Sequence, residues 1–159
     1  AVFFSTISIG ISLIVGGIIM IMVDHKPRKH EIDDIDNITP LKALYIGFFQ
    51  CLAMFPGVSR SGATIIGGLL LKLSRKAATE FSFFLAIPTI VAATVYDLFQ
   101  NISTLTFSHL EFILVGTLSA FISAILVIKW FLNFVSKHNF VYFGIYRIIV
   151  GTIILMFVI

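Results

Sequence analysis

Charge is what this chain has least of: 12% of its 159 residues are Asp, Glu, Lys or Arg, against about 25% in soluble globular domains. That shortfall excludes an ordinary water-soluble fold. A single cysteine, Cys51, excludes an intramolecular disulfide and reads as packing in an apolar segment. None of the four histidines, His25, His30, His109 and His138, has a companion at i+3 or i+4 that would build a metal site, so all four read as loop or interface residues. There is no Walker sequence, dinucleotide fingerprint or zinc spacing. The net charge of +3 comes without a basic-aromatic surface pattern, so no nucleic-acid partner is expected.

What fills the chain instead is apolar: 58% hydrophobic residues, 17 phenylalanines and a mean hydropathy of +1.06. Val2 to Val23 is 22 residues without a charge, Phe81 to Tyr96 is 16 and Phe112 to Ile128 is 17. A helix needs roughly 20 apolar residues to span the hydrocarbon, so the first run qualifies outright and the others do with interfacial flanks such as Glu111 and Trp130. The first run is no signal peptide by pattern, since it lacks a basic leader and a small-residue cleavage site before Asp24. The expected fold is all-α: a polytopic integral membrane protein, read as one domain over 1–159.

Its units are a helix over 2–23, a loop over 24–39, a broken segment over 41–72, and helices near 75–98, 108–132 and 139–159. Pro88 is expected to kink the helix that contains it, by removing a hydrogen bond and crowding the carbonyl of Phe84. Lys26, Arg28, Lys29, Lys42, Lys72, Arg75, Lys76, Lys129 and Lys137 cluster in 24–42, 72–76 and 129–137, whereas 99–108 has no basic residue. By the positive-inside rule the first three segments are cytoplasmic and 99–108 is external.

The 41–72 segment is two short helical stretches meeting at Pro56-Gly57, which predicts a re-entrant hairpin with its polar tip near the midplane. That tip reads Pro-Gly-Val-Ser-Arg-Ser-Gly-Ala-Thr from Pro56 to Thr64. Arg60 offers bidentate donors for a phosphate or carboxylate, and Ser59, Ser61 and Thr64 add hydroxyls within one turn. Gly57 breaks the incoming helix and Gly62 lets backbone N–H groups approach a ligand, together an anion cradle at a helix N-terminus. Ser59 reads as a phosphate-binding hydroxyl in preference to a nucleophile, because no base lies in the tip. Ser61 and Thr64 have a plainer role as N-cap and first-turn hydroxyls, and Arg60 as a cation on helix carbonyls. Irregular backbone at membrane depth must line a cavity or be buried in protein, and an ionisable residue there points to function.

At these residues the chain resembles the bacterial undecaprenyl-diphosphate phosphatases of the bacitracin-resistance type. The resemblance runs from Leu41 onward, through the residues from Ala43 to Phe55, the tip at 56–64, and Ala-Ala-Thr-Glu-Phe-Ser-Phe-Phe-Leu-Ala-Ile-Pro at 77–88. It implies an inverted-repeat fold with re-entrant hairpins, a multi-pass protein of the bacterial inner membrane, and a polyprenyl diphosphate substrate. Ser59, Arg60 and Thr64 fall at active-site positions of that family, with Arg60 on the diphosphate, and Ser61, Gly57, Gly62 and Glu80 are expected to help bind it. The family's Glu-Gly-x-x-Glu-Phe and Ser-Ser-x-Gly-His stretches are absent, so the chain is expected to be the C-terminal part alone, supplying the phosphate-binding half. A divalent cation, Mg2+ or Ca2+, is implied, with its ligands mostly in the missing part. An alternative from another class is a transporter or flippase of a phosphorylated lipid; a homo-oligomer is also open.

The remaining charges read more plainly. Glu80 is interfacial, paired with Lys76, or turned toward the hairpin. Arg147 snorkels to the cytoplasmic interface or pairs with an interior acid, and Asp97 marks an external helix end. Gly47, Gly67 and Gly68 are expected to permit close helix packing.

Overall fold

The structure is a computed structural model that describes residues 5–25, 31–101 and 107–158, with the side chains of 107–110 excluded. The loop bases Lys26, Arg28 and Lys29, His30, the side chain of His109 and most of the 99–108 segment fall outside the described residues.

Six α-helices and no strand make up the described residues. They are α1 (Thr6–His25), α2 (Pro40–Cys51), α3 (Arg60–Leu70), α4 (Arg75–Asn101), α5 (Phe107–Lys137) and α6 (Val141–Val158). α1, α4, α5 and α6 are each long and apolar enough to cross a membrane. α4 and α5 outrun the predicted 75–98 and 108–132 because a helix does not stop at the hydrocarbon boundary; the polar turns at Asn101 and Lys137 continue the ladder. α4 passes through Pro88 as one element.

α1 and α6 are antiparallel neighbours joined along a glycine seam. A Cβ on Gly10 would lie 3.2 Å from the carbonyl oxygen of Gly151, and one on Gly17 would lie 2.6 Å from that of Gly144. Two pairs of glycines spaced by seven residues therefore let the backbones approach where no other residue fits.

The hairpin is present. Thr39 caps α2, accepting from the Lys42 amide at 3.4 Å, with Pro40 in the first turn. A short 3₁₀ turn at Leu52–Met54 ends the descent. Phe55 to Val58 then form a tight turn, closed by Val58 N–H on Phe55 O at 3.1 Å, with Gly57 at φ +84°. Pro56 before a positive-φ glycine is the pairing a type II turn requires. Ser59, and not Ser61, is the N-cap of α3, its Oγ accepting the Gly62 amide at 3.1 Å.

α3 returns to the side from which α2 left. Its end is a Schellman closure, Leu73 N–H on Gly68 O at 3.0 Å and Lys72 N–H on Leu69 O at 3.2 Å, with Lys72 at φ +69°. Lys72 is paired with Glu31, whose carboxyl this hydrogen bond holds below the usual carboxylate range. Ile32 bridges Leu73, and Ser74 N–H reaches Ile32 O at 2.8 Å. Both roots of the hairpin are thus stitched to one face.

That face is also where the core lies. Asp24, buried at the end of α1, accepts Arg75 Nε at 2.6 Å and the Phe140 amide at 2.6 Å. One carboxylate so ties α1, the start of α4 and the entry to α6. Around it pack Met20, Ile46, Leu69, Leu73, Ala77, Val135 and Phe140, bordered by edge-to-face phenylalanines 83, 131, 134 and 143. A Cβ on Gly67 would lie 2.7 Å from the ring of Phe49 and one on Gly68 2.8 Å from Ala78 Cβ, as close packing requires, whereas one on Gly47 would meet nothing within 4 Å.

Candidate functional site

The tip of the hairpin packs against α1. A Cβ on Gly57 would lie 2.7 Å from the carbonyl oxygen of Ile9, near the far end of α1. Ile9 is about 24 Å along α1 from His25 at 1.5 Å per residue, and the hydrocarbon is about 30 Å thick. The tip therefore meets α1 about 24 Å along the helix from its His25 end.

At the tip, the amides of Arg60 and Ser61 have no acceptor among the described residues, whereas those of Gly62 and Ala63 are taken by Ser59. Gly62 therefore spends its N–H on the cap, and its missing side chain leaves room for Ser59 and Met20. Ser59 Oγ and Ser61 Oγ are 3.2 Å apart, a hydroxyl pair at the positive end of a helix dipole. The carbonyl of Gly57 is already engaged, accepting Arg147 Nη2 at 3.1 Å.

Thr64 stands elsewhere. It is 1% exposed, and its hydroxyl sits 2.6 Å from that of Ser82 on α4 while also reaching Ser61 O at 3.0 Å. It joins α3 to α4 and is not among the residues lining the two cavities described below. Glu80 is half-buried on α4, with no hydrogen bond or ion pair among the described residues, to Lys76 or to the tip. The helix turns it about 100° from Thr79, which is fully buried.

Two cavities, of about 400 and 490 Å³, flank the tip and share a wall of Met20, Ser59, Gly62 and Arg147. The smaller adds Ser61, Thr79, Ser82 and Tyr146 to phenylalanines 83, 131 and 143. The larger runs between α1, α2 and α3 over Ile11, Val15, Leu52, Phe55 and Leu70. Each therefore has a polar end at the tip and an apolar body.

Arg147 is the residue that the sequence misplaced. It points to the hairpin tip and pairs with no acid among the described residues; from α6 it crosses α1 at Gly16, where a Cβ would lie 2.7 Å from its Nη2. Its Nε is buried without a partner among the described residues. A buried, unpaired guanidinium donor is an unmet demand for an acceptor. Arg60, like Thr64, is not among the residues lining the two cavities; its Nη1 donates to Thr89 Oγ1 on α4 at 2.8 Å.

Hydroxyls, amides and guanidinium groups suit an anion with several oxygens. They do not suit a divalent cation, and no three metal-ligating side chains gather anywhere among the described residues.

Known proteins carry the same pattern. The family model of "Bacitracin resistance protein BacA" matches residues 1–153. The chain belongs to the BacA family. The match begins well before the hairpin, so residues 1–40 share the family pattern that the motifs alone had tied to Leu41 onward. Among curated relatives, a protein of Persephonella marina is 54% identical over 98% of this chain and 62% of its own length. One of Wolinella succinogenes is 49% identical over 97% and 61%, and one of Acinetobacter baumannii 50% identical over 98% and 57%. Each bears the name undecaprenyl-diphosphatase. The chain spans about three-fifths of the length of these BacA-family relatives.

Proposed function

We propose that this chain supplies the phosphate-binding half of an undecaprenyl-diphosphate phosphatase. The reaction is hydrolysis of undecaprenyl diphosphate to undecaprenyl phosphate and inorganic phosphate in the bacterial inner membrane, recycling the lipid carrier of cell-wall synthesis; bacitracin resistance follows from the same activity. The observation that carries it is the Nε of Arg147, buried and unpaired among the described residues, in two mostly apolar cavities that it lines together with Ser59. A diphosphate bears several acceptor oxygens on a greasy tail, which is the shape of this site.

Within that reading, Arg60, Arg147 and the first two amides of α3 bind the diphosphate oxygens and stabilise charge that grows as the P–O–P bond breaks. Ser59 and Ser61 orient those oxygens by hydrogen bonding. No side chain at the tip can act as a general base, so the proton-transfer group, and the carboxylates for any divalent cation, are assigned to residues outside this chain. The lipid-transport alternative is less favoured, because the relatives' printed name is that of a hydrolase.

The test compares this chain with a completed protein, in which the part of the Persephonella marina relative outside the match is joined to it. Phosphate release from farnesyl diphosphate is measured in detergent with a divalent metal. Release by the completed protein alone supports the reading. Release by neither, with Arg60-dependent binding retained, transfers the site to transport. In the completed protein Arg60→Lys should lose at least about tenfold, since a point charge cannot reproduce a bidentate fork; activity within twofold would sink the clamp.

A further inference from the structure

We infer that Thr89 is the positioning residue for Arg60, aiming one arm of the diphosphate clamp from a helix outside the hairpin. The inference rests on the phosphatase reading and adds to the site a residue that none of the tip motif contains.

Arg60 is the first residue of α3, and nothing in the hairpin itself holds its guanidinium. Among the described residues its one side-chain hydrogen bond is to Thr89 Oγ1, 2.8 Å away on α4. Thr89 is suited to the task by how its own proton is used. The hydroxyl lies 3.1 Å from Leu85 O and 2.9 Å from Ala86 O, so its single proton is donated back to its own helix. What remains on the oxygen is acceptor capacity, turned to a cation. The bond takes one of the five guanidinium N–H groups and leaves the rest of the fork for a ligand.

The setting makes this more than a chance contact. Along α4, the residues on either side, Ile87, Pro88, Ile90 and Val91, are all exposed on an apolar helix, while Thr89 is half-buried toward the hairpin. About two turns earlier on α4, Ser82 meets Thr64. Two hydroxyls on α4 thus grip α3, one through its backbone-bonded threonine and one through its arginine. A long, flexible arginine left untethered would lose rotamer freedom on meeting a phosphate, and a pre-aimed one has already lost it.

The experiment uses the completed protein and farnesyl diphosphate as the probe, reading equilibrium binding, the KM and kcat of phosphate release, and thermal midpoint. Thr89→Val keeps the shape and removes the oxygen; Thr89→Ser keeps the oxygen. The expected result is a Kd raised about tenfold by Thr89→Val, as for loss of a hydrogen bond to a charged group, and unchanged within twofold by Thr89→Ser. On an Arg60→Lys background Thr89→Val should add nothing. Wild-type binding by Thr89→Val, equal weakening by both variants with a fallen thermal midpoint, or additive effects with Arg60→Lys would overturn the inference. Binding that is indifferent to Arg60→Lys itself would instead overturn the clamp, and the positioning role with it.

Discussion

A guanidinium at the tip of the hairpin is useful only if its neighbours leave it room, and for Arg147 the room is made by Gly16. The side chain crosses α1 where a Cβ would come within 2.7 Å of Nη2. Gly16→Ala should therefore push the guanidinium off Gly57 without touching the cradle, because the displaced atom is the end of a flexible side chain. Phosphate release by the completed protein is expected to fall about tenfold, and the thermal midpoint to hold within a few degrees. Arg147→Met, which keeps the apolar stem and removes the cation, should lose about a hundredfold or more; retained activity would show that Arg147 is structural. Arg60 was legible in the sequence because hydroxyls and glycines surround it locally. Arg147 was not, since a lone arginine in an apolar run fits snorkelling equally well. What decides its direction is a glycine on another helix, and the adjacent pair Gly16-Gly17 was the one signal available.

Elements are held at two levels, the glycine seam between α1 and α6 and the carboxylate of Asp24 at their common end. Gly17→Ala drives a methyl group against the backbone oxygen of Gly144, 2.6 Å from where it must sit. Backbone cannot step aside as a side chain can, so the variant should lose about 1–3 kcal/mol, read as a lowered thermal midpoint in detergent. Asp24→Asn leaves Arg75 without its counter-charge and weakens the cap on the Phe140 amide. Breaking a fully buried pair costs about 3–5 kcal/mol; with Arg75 about a third exposed, about 2–3 kcal/mol is expected. The hairpin itself was legible as two half-length apolar stretches around Pro-Gly, with boundaries within a few residues of those found. Its depth was not, because length alone does not say which carbonyl of α1 the turn will meet. The division of labour among the hydroxyls was equally hidden: Ser59 caps, Thr64 binds Ser82, and only the tertiary contact separates them.

On the scale of the whole molecule, one face gathers the polar joints and the other is nearly bare. Asp24, Lys72, Arg75 and Lys137 mark the gathered face, where α1, both roots of the hairpin, α4, α5 and α6 converge. Away from it, α4 beyond Ala86 and α5 from Glu111 to Val127 expose almost every residue, as two bare apolar helices. The basic residues set the orientation by the positive-inside rule, and the depth of the tip then makes a functional consequence. If the gathered face is cytoplasmic, a cradle about 24 Å beyond it is nearer the external surface, and phosphate leaves outward. Single cysteines on a Cys51→Ala background test this in intact cells with a membrane-impermeant maleimide. Gln100→Cys should label at once, and Lys76→Cys only after permeabilisation. The reverse pattern would turn the molecule over and place phosphate release in the cytoplasm, while labelling of both in intact cells would mean that the basic clusters do not fix one orientation.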